Sequence, residues 1–203
     1  MADTTWLQRA ASALQAFRKS EHPGVSLARD LLWVIAVVGG IALALYIVAG
    51  TWPAVVTIES ESMVPNMNVG DLVLVVDEDR FGALVTYEEG QLTGYRSFGD
   101  YGDVIIYRPN GVDSVHPIIH RALIYADAAT IEQSALGEYY RDPHGGYITK
   151  GDNNPYIDQG NLKISGVGVV EPVEKEWIIG KALFAVPLIG YLPLHLFEFA
   201  ILV

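Results

Sequence analysis

A mainly β fold tethered to a membrane is predicted by three features of this 203-residue chain. Residues 31–50 carry no charge, β-branched and aromatic runs broken by Gly, Pro, Asn and Asp fill residues 53–181, and a second apolar stretch occupies residues 182–203. At about 1.5 Å per residue the first stretch makes roughly 30 Å of helix, the thickness of a bilayer core. The expected organisation is a cytoplasmic N-terminal segment over residues 1–30, a transmembrane helix over 31–52, an extracytoplasmic β-domain over 53–181 and a second membrane segment over 182–203.

The N-terminal segment places Leu7, Ala11, Leu14 and Phe17 at helical spacing with Arg9, Arg18 and Lys19 elsewhere. Residues 5–19 therefore read as an amphipathic helix, either on a membrane surface or as a short soluble element, ended by His22-Pro23-Gly24. A cleaved signal peptide fits the next apolar run poorly, because about thirty residues precede it and it exceeds a usual signal-peptide core. Arg9, Arg18, Lys19 and Arg29 flank the run on one side, whereas the nearest basic residue on the other is Arg80. The positive-inside rule then puts the amino terminus in the cytoplasm and the bulk of the chain outside.

Strands are expected at residues 73–76, 104–107, 118–124, 147–149 and 167–170, each bounded by turn formers. Residues 81–102 and 127–146 read as surface excursions, the second with a short helix near residues 130–136. In the C-terminal stretch Pro187, Pro193, His195 and Glu198 interrupt the apolar pattern, and a span kinked at the prolines is preferred to a helix lying in the membrane interface.

Composition removes several classes of function. With no cysteine there is neither a disulfide framework nor a thiolate metal site. The net charge of −11 disfavours a phosphate-tracking surface, so nucleic acid is not an expected partner. The acidity is concentrated in residues 53–181, which hold twenty carboxylates against nine Lys or Arg. Such a surface suits either a high-salt environment or ordinary solubility.

The chemically suggestive stretch is Ser60-Glu61-Ser62-Met63-Val64-Pro65, closed by Gly70-Asp71. It follows Val55-Val56-Thr57-Ile58, a predicted strand whose period of two would turn Ser60 and Ser62 to one face. Pro65 stops a regular ladder and Gly70-Asp71 starts the next strand. Alone, such a serine pair is most often a polar strand edge. A nucleophilic serine needs a base and a group to orient it. His22 precedes the span and His195 lies in the apolar tail, leaving His116, His120 and His144. His120 falls inside a predicted strand, where Ile118, His120, Ala122 and Ile124 share a face; His116 precedes Pro117 and His144 sits in a turn. A zinc pair of His116 and His120 would require a helix, which Pro117-Ile118-Ile119 opposes, so no metal is expected.

Acidic partners come from residues 149–160, TKGDNNPYIDQG. A calcium loop fails there, because Tyr156 takes the fifth ligand position and Ile157 replaces the glycine at the sixth. Asp152 reads as a turn residue, and Asp158, past the Pro155 bend, is freer to meet a histidine.

These pieces, SESMVP followed by GD, then Ile119-His120-Arg121, then Lys150-Gly151-Asp152-Asn153-Asn154 with Asp158, resemble the successive boxes of type I signal peptidases in family order. The His-Arg dipeptide is similar to the archaeal and endoplasmic-reticulum branch; the bacterial branch uses a lysine base, and this chain has no lysine between Lys19 and Lys150. The tyrosine-rich residues 81–102 and the acidity resemble haloarchaeal members. The resemblance implies a β-rich signal-peptidase-like catalytic domain with Ser62 as nucleophile, His120 as base, and Asp158 and Asp152 as the acids, Asp158 orienting His120 and Asp152 supporting its loop. It implies an oxyanion site from the Ser62 N–H and the Ser60 hydroxyl, a substrate rim including Met63 and Val64, and no cofactor. Secretory preproteins, the bilayer and the export machinery are the implied partners. A catalytically inactive tethered β-domain that binds peptides or partner subunits would keep the same fold.

Overall fold

A computed structural model of the chain describes residues 5–190. Two compact units divide the chain, residues 1–47 and residues 48–203.

The first unit is helical. Helix α1 (Thr5–Lys19) ends with Arg18 and Lys19 in its last turn, where the helix dipole favours cations. Helix α2 (Pro23–Ala49) starts at the expected break: Pro23 suits a first helical position, and the Val25 and Ser26 amides donate to the His22 carbonyl. With 27 residues and a mean hydropathy of 2.7 over its most apolar window, α2 is long and apolar enough to cross a membrane. It runs about two turns further towards the N-terminus than the uncharged stretch, taking in Arg29 and Asp30.

The second unit is built on strands. In chain order they are β1 (Val55–Thr57) and β2 (Leu72–Val76), helix α3 (Tyr87–Thr93), β3 (Arg96–Ser97), β4 (Asp100–Tyr101), β5 (Val104–Tyr107) and β6 (Ile118–Ala126). Helix α4 (Ala128–Gln133), β7 (Gly146–Lys150), β8 (Lys163–Ile164), β9 (Gly168–Val169) and β10 (Ile178–Val186) follow. Six strands form one antiparallel sheet in the order β1-β2-β10-β5-β6-β7, while β3-β4 and β8-β9 are separate hairpins. The second unit is thus mainly β, and an N-terminal apolar helix precedes it in the chain.

Strand β5 is wholly buried because it lies mid-sheet, which explains why it is the uninterrupted apolar run Val-Ile-Ile-Tyr. One core cluster gathers Ile58, Met63, Met67, Val73, Val75, Val104, Ile106, Ile179 and Ala182. A second holds Ile105, Tyr107, Ala122, Val170, Val173 and Ile178. Adjacent β5 residues alternate between the two, as pleating requires.

Four expectations are revised. Residues 182–186, assigned from sequence to the membrane segment, complete β10 instead; their register with β2 makes them sheet, and residues 191–203 of that segment lie outside the described residues. Ser60 and Ser62 are not on a strand, since β1 stops at Thr57 and the Val64, Asn66 and Met67 amides close turns onto Glu61 and Met63. Alternation along β6 fails beyond Ala122, where the register with β7 shifts and Ile124 becomes exposed. The segment over residues 81–102 contains α3, opened by a capping box in which Thr86 and Glu89 satisfy each other's backbone amides.

Candidate active site

Three connected segments build the site: the turn after β1, strand β6, and the loop after β7. The turn over residues 61–67 buries Met63 and Met67 in the first core cluster. Two buried methionines thereby anchor a polar turn whose Ser62 stays half-exposed. Ser62 Oγ lies 3.2 Å from Ser60 Oγ. The pair expected to share a strand face is brought together by a turn instead.

His120 sits on β6 opposite Ile105 and is only 5% exposed. Its Nδ1 is 2.6 Å from Asp158 Oδ2. A carboxylate can only accept here, so Nδ1 donates, and in the neutral ring this tautomer leaves the Nε2 lone pair free. Asp158 Oδ2 also accepts from Thr149 Oγ1 at 2.6 Å and Tyr107 Oη at 3.0 Å. Burial, with the Asp158 charge beside it, holds the Tyr107 hydroxyl well above the usual tyrosine pKa and keeps it a donor. Gln159, fully buried, accepts from the Thr149 amide and donates to Thr149 Oγ1, locking the loop to β7.

Tyr107, Thr149 and Gln159 were not singled out from the sequence. The available signal was a tyrosine ending an apolar central strand and a threonine in a buried one, since buried hydroxyls need partners. Tyr107→Phe is expected to cost about 2 kcal/mol for a lost hydrogen bond to the charged Asp158 carboxylate. Urea unfolding of the two proteins checks the figure.

Gly151 brings the loop against both catalytic candidates. A Cβ there would lie 2.6 Å from the Ser62 carbonyl oxygen and 2.8 Å from His120 Nε2, so only glycine fits. Asn153 holds the same turn, its amide donating to the Ser62 carbonyl at 2.8 Å and its side chain to the Glu61 carbonyl at 3.1 Å. Among the described residues no hydrogen bond joins Ser62 Oγ to His120. Hydrogen bonds between a nucleophile and its base are commonly long before substrate binds.

Ser60, Ser62, Met63 and His120 line one cavity of about 640 Å³, together with Val56, Ile58, Ile106, Ile118, Ile119 and Leu162. Val64 is not part of this lining, and the apolar wall comes instead from the isoleucines of β5 and β6 and from Leu162. Of the expected rim pair, Met63 lines the cavity. His116 is at the cavity's edge. His144 lies elsewhere, held between Glu171 and Glu174 and packed edge-on against Trp177.

Asp152 does not touch His120. It forms a two-pronged ion pair with Arg121, Oδ1 to Nε at 2.8 Å and Oδ2 to Nη2 at 2.6 Å. Arg121, 1% exposed, also donates to the carbonyls of Ser97, Phe98, Tyr101 and Gly102 in the β3-β4 hairpin. Among the described residues no cluster of His, Asp or Glu has the arrangement of a metal site.

No protein-family model matches the chain. Over 156 residues it is 29% identical to the signal peptidase complex catalytic subunit SEC11 of Schizophyllum commune, a match spanning 75% of this chain and 69% of that protein. The similarity is thus to a signal peptidase subunit, and this chain carries a sheet-rich unit after an apolar helix.

Proposed function

We propose that this protein is a membrane-anchored serine endopeptidase that removes signal peptides from secretory preproteins. The observation that carries the reading is the 2.6 Å pairing of His120 Nδ1 with Asp158 Oδ2 beside a cavity that His120 shares with Ser62. Ser62 Oγ attacks the scissile carbonyl, and His120 Nε2 takes its proton. The tetrahedral intermediate collapses as His120 returns that proton to the leaving amine, and water then resolves the acyl-enzyme by the same route. Asp158 fixes the imidazole tautomer and offsets its positive charge. The Ser62 N–H and Ser60 hydroxyl receive the oxyanion, and the 3.2 Å separation of the two serine hydroxyls supports that role for Ser60.

The cavity's apolar wall suits an extended peptide lying beside β1, the short strand at the sheet edge, with side chains directed into the cleft. The expected placement keeps residues 1–30 cytoplasmic and the β unit outside, close to the export machinery and the bilayer. The acidic surface is suited to the high salt of a halophilic archaeon. Ser62→Ala is the test. Purified protein in detergent is incubated with a radiolabelled preprotein, and cleavage at the signal-peptide junction by the parent but not by the alanine variant is expected. Equal cleavage by both excludes Ser62 as nucleophile, and no cleavage by the parent favours the inactive, peptide-binding alternative.

A further inference from the structure

We propose that Asn66 is a positioning residue for the Ser62 nucleophile, acting through Asp152 and Arg121; this rests on the peptidase reading above. The turn bearing Ser62 is gripped at two points by consecutive residues of the loop after β7. At one end the Asn153 amide binds the Ser62 carbonyl at 2.8 Å. At the other Asn66 Nδ2 donates to Asp152 Oδ2 at 2.8 Å. Between them, the Asn66 and Met67 amides both return to the carbonyl of Met63, the residue after the nucleophile. Movement of Asn66 is therefore transmitted to Ser62 through a single short turn.

Asp152 is a fixed anchor because its carboxylate is already clamped by the buried Arg121 guanidinium. Arg121 follows His120 on β6, and adjacent strand residues point to opposite faces. One strand thus holds the base directly through His120, and holds the nucleophile's turn through Arg121, Asp152 and Asn66. Gly99 of the β3-β4 hairpin closes the other side, since a Cβ there would fall on Asn66 Oδ1. With its amide oxygen packed against Gly99 and its nitrogen on Asp152, Asn66 has little freedom to turn.

Geometry of this kind governs rate more than binding, as a displacement of about 1 Å at the reacting atom can cost a hundredfold. Asn66→Asp puts two carboxylates in contact and pushes the turn away from the loop. A second variant, Asn66→Ala, removes the donor to Asp152 Oδ2 without adding a charge and leaves the Arg121–Asp152 pair in place. The experiment measures kcat and KM for preprotein cleavage, with melting temperatures, on the full chain in detergent. Expected are a roughly tenfold to hundredfold fall in kcat for Asn66→Asp and a fall of about tenfold for Asn66→Ala, each at a KM within about twofold of the parent. If the parent cleaves and either Asn66→Asp or Asn66→Ala retains its kcat, the positioning role is overturned while the peptidase reading stands. A parent that cleaves nothing overturns both.

Discussion

His120→Ala is expected to lower kcat for preprotein cleavage by about a millionfold while the protein stays folded. In serine hydrolases the base and nucleophile act as a unit, and removing either costs nearly as much as removing both. What is left is the contribution of oxyanion donors and substrate binding, about a thousandfold or more over water. Folding survives because Asp158 does not depend on the imidazole alone: Thr149 Oγ1 and Tyr107 Oη still donate to its Oδ2 after the ring is gone. Asp158→Asn should be milder, about ten-thousandfold, since the base remains but loses the charge that stabilises it. The check is single-turnover cleavage by each variant beside its circular dichroism spectrum. A His120→Ala protein turning over at the parental rate would move the base to another group, with His116 at the cavity edge the first to examine.

The parts of this arrangement that were legible in the sequence are those carried by local patterning. The α2 span and strands β2, β5, β6 and β7 follow runs a few residues long, whereas the grouping of Ser62, His120 and Asp158 rested on the resemblance of their short motifs to those of a known family. What escaped depends on partners far away in the chain. The apolar residues 182–186 resemble a membrane segment by composition, and only pairing with β2, more than a hundred residues earlier, makes them sheet. Likewise Pro65 marked a break, but nothing local shows that Met63 and Met67 find a core to enter and so fold the serines into a turn. Tyr107 and Thr149 gave little signal because their roles exist only where β5, β6 and β7 lie side by side.

Asp152→Ala should produce the largest loss of stability, about 3–5 kcal/mol, and the reason lies in Arg121. That side chain is 1% exposed, so its charge has no water to turn to. The four hairpin carbonyls that it also meets supply partial charges rather than a counter-ion, whereas Asp152 neutralises it through two short bonds. Truncating the acid leaves a buried cation uncompensated and frees Asn66 Nδ2 as well. For a domain of this size about 1 kcal/mol corresponds to roughly 2–4 °C, so the melting temperature should fall by roughly 10 °C. Asp152→Asn, which keeps an acceptor for Arg121, should lose clearly less, and replacing Arg121 and Asp152 together by apolar residues of similar volume should recover part of the loss, because the pair itself is worth less than the penalty of breaking it. Thermal unfolding of these variants separates the two contributions. An Asp152→Ala protein melting within a degree of the parent would mean that water reaches Arg121 and that the β3-β4 hairpin is not held by it.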